Sequence, residues 1–264
     1  MALPAPEAVR RNTGWMAGIP VLEVRHLTGP ADAPVIHDVN LKLDAGKTHV
    51  VLGLIHSGKS MLMRLLLGLE RAESGTVVVE GRSYEATGET ETVTRDMRRR
   101  IGVVFEGSAL LARISIIENV ELPLLEHRHT NAKDARDAAQ ELLLMVGMNV
   151  AEDTTPLQVG RAEQRRVALA RALALDPGIL IMDEPSHGLD PHAAAELDDT
   201  VKRLQQERGF GVMIASHEAR YAFRGAHEIS VMAGGRIVEQ GTRDELQASS
   251  HEVVRQLLNR RGSR

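Results

Sequence analysis

The sequence contains no cysteine. Disulfides and thiolate metal sites are excluded, which fits a reducing compartment. A basic surplus is missing too: Lys and Arg number 32 against 36 Asp and Glu, a formal net charge of −4. Nucleic-acid binders ordinarily carry excess positive charge, so no nucleic-acid partner is expected. The two short basic clusters, Arg98-Arg99-Arg100 and Arg260-Arg261, read as solvated faces or tails. No run approaches the roughly 18 to 20 apolar residues a membrane span needs. A secretory signal is not expected either, because Arg10 and Arg11 follow a weakly apolar stretch instead of preceding a strong one. Any membrane role is therefore expected to come through a partner. There is no internal repeat and no low-complexity tract.

The 264 residues, 43% of them hydrophobic, suffice for one substantial core or a core with an inserted subdomain. Residues 1–20, rich in Pro, Ala and Arg, are predicted to form a flexible N-terminal extension. Residues 21–248 carry the alternating pattern, and 249–264 are predicted to form a C-terminal helix and basic tail. VLEVRHL and VIHDVNLKL have strand character, and THVVLGL reads as a buried strand ending in glycine. SMLMRLLLGLE has helical length and spacing, and GTVVVEG is a further strand. Residues 82–100 are polar and read as a loop and a short helix. IGVVF, GILIMDEP and GVMIAS are buried strands, and HEISVMAGG with RIVEQG resembles a closing hairpin. About residues 107–176 the pattern becomes mostly helical. Strands alternating with helices indicate an α/β sheet, with this helical block inserted.

Two motifs carry chemistry. Gly53-Leu54-Ile55-His56-Ser57-Gly58-Lys59-Ser60 fits G-x-x-x-x-G-K-[ST], between a buried strand and a helix, with Met61 next. Glycines let backbone N–H groups curl around phosphate oxygens, and the helix N-terminus adds favourable dipole charge. Lys59 would reach the β- and γ-phosphates, and the Ser60 hydroxyl would reach Mg²⁺. The second motif is ILIMDEP, which sets Asp183 and Glu184 at the end of an apolar run. Strand ends are where α/β sheets bind ligands. Asp183 would hold Mg²⁺ and Glu184 would polarise the attacking water.

Taken together and in order, these residues resemble the ABC ATPase family over roughly residues 21–248. Gly53–Ser60 looks like its Walker A motif and ILIMDEP like Walker B with the catalytic glutamate. Gly188-Leu189-Asp190 resembles the D-loop, and His217 the switch histidine that contacts the γ-phosphate. PLQVGRAEQRRVALARAL resembles the signature segment and its helix. The resemblance implies an α/β P-loop NTPase fold with a RecA-like core, an antiparallel β subdomain and an inserted helical subdomain. It implies ATP and Mg²⁺ as ligands. It also implies a homodimer or heterodimer of ATPase chains beneath membrane permease subunits, placing the chain peripherally at the cytoplasmic membrane. A finer resemblance lies in residues 102–127. Phe105-Glu106, Ser108-Ala109-Leu110-Leu111, Glu118-Asn119-Val120 and Pro123-Leu124-Leu125-Glu126-His127 are similar to ATPases of the Mla and Mce lipid-transport systems. That implies lipid cargo and a lipid-binding Mce-domain protein as a further partner. The alternatives are the ATPase of another importer or exporter, or a cell-division ATPase.

The chain departs from the family pattern at four places. His56 stands where a second phosphate-loop glycine is usual, and Met61 where threonine is common. Glu106 replaces the Q-loop glutamine; a carboxylate can ligate Mg²⁺ but cannot donate an amide hydrogen bond. The signature maps onto Val159-Gly160-Arg161-Ala162-Glu163, without its serine and with arginine for its first glycine. No aromatic precedes the second strand to stack on adenine: Leu27–Pro34 offers Pro30 and Ala31, in a chain only 2% aromatic. The altered signature and Glu106 favour a rival reading, a regulatory or structural nucleotide-binding subunit with weak or no ATPase activity. Intact Lys59, Asp183, Glu184 and His217 favour the enzyme. The eleven histidines show no metal-binding spacing: position 221, four after His217, is tyrosine, so a zincin helix is not expected. His187 and His192 are expected at the surface.

Overall fold

Strand β3 (Thr48–Gly53) is buried on both faces, which is what its uninterrupted apolar run requires. Val50 and Leu52 join one core cluster and Val51 the other. The same alternation recurs in Ile179–Asp183 and Gly211–Ser216, so a single sheet separates two hydrophobic cores.

The computed structural model describes residues 20–32, 35–86, 91–127, 131–223 and 225–259. The expected N-terminal extension, but for Pro20, lies outside these residues, as does the basic end of the expected tail. In chain order the described elements are β1 (Pro20–Gly29), β2 (Ile36–Asp44), β3, α1 (Lys59–Leu66), β4 (Ser74–Val79), β5 (Arg82–Glu85), α2 (Glu91–Arg99) and β6 (Ile101–Val104). Then come α3 (Ile116–His127), α4 (Ala132–Met145), α5 (Arg161–Leu173), β7 (Ile179–Asp183), α6 (Pro191–Arg208), β8 (Gly211–Ser216) and α7 (Arg220–Phe223). The chain closes with β9 (Glu228–Ala233), β10 (Arg236–Gly241), α8 (Arg243–Gln247) and α9 (Glu252–Asn259).

The central sheet has the order β10-β9-β3-β8-β7-β6. Its five strands from β9 to β6 run parallel, and β10 closes the edge as an antiparallel hairpin with β9. A four-stranded antiparallel sheet, β2-β1-β4-β5, covers one face with α1 between. Helices α3, α4 and α5 form a block inserted between β6 and β7 and pack on the other side. This is the P-loop α/β architecture expected from the sequence. The carboxyl ends of β3, β7 and β8 lie side by side, because Leu52 pairs with Ser216 and Asp183 with Ala215. That edge positions the site.

Two stretches differ from expectation. Residues 82–85 are a strand, not a loop: Tyr84 is buried and pairs with Val77, but a single apolar residue among polar ones leaves no readable period. Residues 107–115 belong to turns, and the helices begin only at Ile116. Long-range hydrogen bonds hold those turns. The Asn119 amide donates to the Leu111 and Ser115 carbonyls, and its oxygen accepts from the Leu111 N–H. Arg171 of α5 donates to the Ser108 and Ala109 carbonyls. Glu118 accepts from the Ser115 N–H at 2.6 Å while Ser115 caps α3.

Candidate functional site at the carboxyl edge of the sheet

The chain turns sharply where β3 ends. A side chain at Gly53 would collide with Ser57 and the Met232 carbonyl, so only glycine fits. Gly58, at φ 109°, then opens α1. The loop is fastened to the β9–β10 turn by a hydrogen bond from the Gly235 N–H to the Ser57 carbonyl. Ser57 is buried, and its hydroxyl has no partner. His56 also adopts a left-handed φ, 65°, which costs an L-residue roughly 1–2 kcal/mol. Glycine there removes that strain and the imidazole at the mouth of the loop. His56→Gly is therefore expected to keep the fold and tighten Mg-ATP binding, read by thermal melting with and without nucleotide. Weaker binding in the variant would show that the imidazole contributes to nucleotide binding instead of obstructing it.

Lys59 is buried at the start of α1. Its ammonium donates to the Gly53 carbonyl at 2.8 Å and the Leu54 carbonyl at 3.0 Å, and lies 3.9 Å from Glu184 Oε1. Burial pulls its pKa down, while Glu184 and Asp183 pull it back. At the end of β7, burial together with the neighbouring Glu184 and Glu106 charges pushes the Asp183 carboxyl up to about 6. Lys59 and the Ser60 hydroxyl oppose that rise. Asp183 Oδ1 is buried without a hydrogen-bond partner.

Glu184 follows with a left-handed φ of 41°, held there by its N–H bond to the Ala215 carbonyl. Its Oε2 accepts from Ser216 Oγ at 2.8 Å and from the His217 N–H at 3.3 Å. Its Oε1 lies 2.9 Å from His217 Nδ1. Glu184 thus joins the ends of β7 and β8 and faces the phosphate loop. Lys59, Glu184 and His217 line a cleft of about 470 Å³, together with Ile55, His56, Ser60, Met61, Glu106 and His187, and with Val35 at its rim. His187 is exposed, as expected, and it also lines the cleft, 3.6 Å from Glu106 Oε1. Ser186 and Gly188 beside it gave the sequence no sign of this. The pairing arises from the turn after β7 meeting the loop after β6.

No trio of His, Cys, Asp or Glu among the described residues is arranged to hold a metal alone. Mg²⁺ ordinarily takes one or two carboxylates with substrate phosphates and waters. The unpartnered Asp183 Oδ1, beside the Ser60 hydroxyl, fits that demand, with Glu106 nearby.

The five signature residues lie away from this cleft, at the start of α5. Gly160 caps the helix without a side chain, and the Glu163 carboxylate reaches back to accept from its N–H at 2.6 Å. Val159 packs against the core and Ala162 is half-buried. Arg161 lies over Gly188 of the same chain, so close that a Cβ there would stand 2.7 Å from Nη1. Asp190 caps α6, accepting from the His192 and Ala193 N–H groups at 2.9 and 3.0 Å.

Residues 36–187, more than half of the chain, match the family model "ABC transporter". The methionine import ATP-binding protein MetN 1 of Rhodococcus jostii is 34% identical over 239 residues, covering 89% of this chain and 70% of the relative. MetN of Latilactobacillus sakei is 35% identical over 207 residues, 78% of this chain and 59% of the relative. The chain thus spans well over half of each relative's length, not all of it. Among solved structures, the dimeric bacterial ABC transporter cassette MJ0796 is 26% identical with a TM-score of 0.76, covering 84% of this chain and 98% of the other. Its ADP- and phosphate-bound dimer is 25% identical at a TM-score of 0.74. This chain belongs to the ABC transporter family, as one of its ATP-binding, ATPase-type subunits.

Proposed function

We propose that this chain hydrolyses Mg-ATP in the cleft between the Gly53–Met61 loop and the ends of β7 and β8. The observation that carries this is the Glu184 carboxylate, set between the Lys59 ammonium and the His217 imidazole. Backbone N–H groups of residues 54–60 and Lys59 bind the phosphates. Ser60, Asp183 and Glu106 are the candidates for holding Mg²⁺, which would neutralise phosphate charge. Glu184 takes the proton from the attacking water, and Ser216 and His217 fix its orientation. His217 also reaches toward the terminal phosphate. The test is direct: titrate the purified chain with Mg-ATP and follow phosphate release. Absence of binding would end this reading, and binding without turnover, alone and with its permease, would favour the regulatory rival.

Residues 21–248 then act as one ATP-binding domain, with 107–176 as the helical part that meets a permease. No helix among the described residues is long and apolar enough to cross a membrane. Membrane attachment is accordingly assigned to the permease, on its cytoplasmic face. For the cargo, the methionine-import relatives support a small solute of that class. The lipid reading, with its Mce-domain partner, rests only on the residue pattern at 102–127. Part of that pattern has a local structural reason, since Glu118 and Asn119 hold the turns before α3. Copurification of the permease and identification of its bound solute separates methionine-like from lipid cargo.

The partner chain decides what the altered signature does. In a homodimer, both composite sites receive Val159–Glu163. In a heterodimer with a standard partner, this signature faces only the partner's site, while Lys59 and Glu184 here receive a good one. Arg161 could instead supply a guanidinium to the γ-phosphate, like an arginine finger. Its side chain is already laid over Gly188 of its own chain, which favours degeneration over compensation. Restoring Ser at position 160 and Gly at 161 and 162 returns a hydroxyl cap and small residues to the helix start. That variant is expected to raise homodimer turnover about threefold, roughly 0.65 kcal/mol of barrier. A clear loss in Arg161→Gly alone, with the fold intact, would instead establish compensation.

A further inference from the structure

The contact between Glu184 and His217 joins two segments, the turn after β7 and the loop after β8. A second contact joins the same segments just beyond it. The buried Ser186 hydroxyl donates to Glu218 Oε1 at 2.7 Å. The other carboxylate oxygen, Oε2, lies 2.8 Å from Arg220 Nε. We propose that Glu218 is a positioning residue for ATP hydrolysis: bonded to Ser186, its carboxylate holds the turn carrying Glu184 against the loop carrying His217 and so fixes the distance between the two.

This role rests on the hydrolysis reading above and deepens it. The left-handed backbone at Glu184 persists only while its surroundings hold it. Its inner tie to β8 is the Glu184 N–H bond to the Ala215 carbonyl. The bonds from the His187 N–H to the Glu184 carbonyl and from the Leu189 N–H to the Ser186 carbonyl shape the turn from within and do not anchor it. The Ser186–Glu218 bond is the outer tie, and the Glu184–His217 contact lies between the two. Glu218 also acts through its backbone. Its N–H donates to Ser216 Oγ at 3.1 Å. A serine hydroxyl has one proton of its own to give, and here that proton goes to Glu184 Oε2, 2.8 Å away. Arg220 keeps the Glu218 carboxylate in place. Its guanidinium reaches α6, 3.6 Å from the Asp198 carboxylate, and donates to the hydroxyl of the buried Tyr221 at 2.9 Å. The Glu218 side chain is 32% exposed, so its ion pair with Arg220 is screened by water. The bond from the buried Ser186 is therefore the contact that sets the geometry.

The test is a double-mutant cycle on the full chain with its permease, reading kcat and Mg-ATP affinity separately. Glu218→Ala is expected to lower kcat about tenfold, because the base and His217 are no longer held in register. Its ATP Kd should stay within about twofold, since no phosphate contact is removed. Ser186→Ala should lower kcat at least as much. The double variant should be no worse than Ser186→Ala alone, because both changes remove the same bond. Glu218→Gln keeps an oxygen for the Ser186 hydroxyl and should recover part of the kcat loss. A merely structural Glu218 would lower the melting temperature and the amount of active protein, with kcat per bound ATP unchanged. That result, additive losses in the double variant, or no recovery in Glu218→Gln overturns the inference. If the unaltered chain binds ATP and shows no turnover with its permease, the hydrolysis reading falls and takes this role with it. Turnover by the unaltered chain that Glu218→Ala leaves intact sinks only the role of Glu218.

Discussion

Glu184→Gln is expected to lower ATP turnover by about 10²–10⁴-fold while leaving ATP binding in place. The substitution keeps size and shape, and its amide oxygen can still accept from Ser216 Oγ and the His217 N–H. The backbone at φ 41° is held by the Ala215 carbonyl, which the change does not touch. What disappears is a group able to take a proton from water. ATP should then accumulate on the variant and hold an associated dimer, visible by size-exclusion chromatography with light scattering. Turnover within threefold of the unaltered chain, about 0.65 kcal/mol, would remove Glu184 as the base and strengthen the regulatory reading.

The parts of this site legible in the sequence are those set by short-range rules. A phosphate loop needs glycines at fixed offsets, so Gly53, Gly58 and Lys59 announce themselves. A buried parallel strand needs a continuous apolar run, so the two acids ending ILIMD mark a sheet edge. The left-handed φ of His56 agrees with the expectation that glycine suits that position better. Residues joined by tertiary contact were not legible. His187 is separated from Glu106 by 81 residues and meets it only because α5 carries Arg165 between their two loops. The turns at 107–115 follow from Asn119 and Arg171, whose roles depend on where α3 and α5 pack. Cargo is illegible for a different reason. An ATPase of this kind meets its permease and not the solute, so any signal for the solute is indirect.

Lys59→Ala should weaken Mg-ATP binding by about 10- to 100-fold and lower turnover further. A hydrogen bond from a charged donor is worth about 1.5–3 kcal/mol, which sets the range for binding. The effect on turnover is larger because positive charge at the transferring phosphoryl group is most of what the protein supplies in this chemistry. There is an indirect effect as well. Lys59 is the cation that opposes the upward shift of the Asp183 carboxyl, whose pKa stands at about 6. Removing it raises Asp183 further, so a greater fraction is protonated at neutral pH and fewer carboxylates are ready for a metal. The loss should therefore grow as pH falls from 8 to 6. In the absence of nucleotide, Lys59 also satisfies the Gly53 and Leu54 carbonyls, so truncation alone could loosen the loop. Lys59→Met controls for this, since it keeps most of the buried stem and removes only the ammonium. Both variants should lose ATP affinity alike, with AMP binding little changed because the ammonium serves the outer phosphates. Equal ATP affinity in Lys59→Met and the unaltered chain, with turnover unchanged, would take the phosphate loop out of the mechanism.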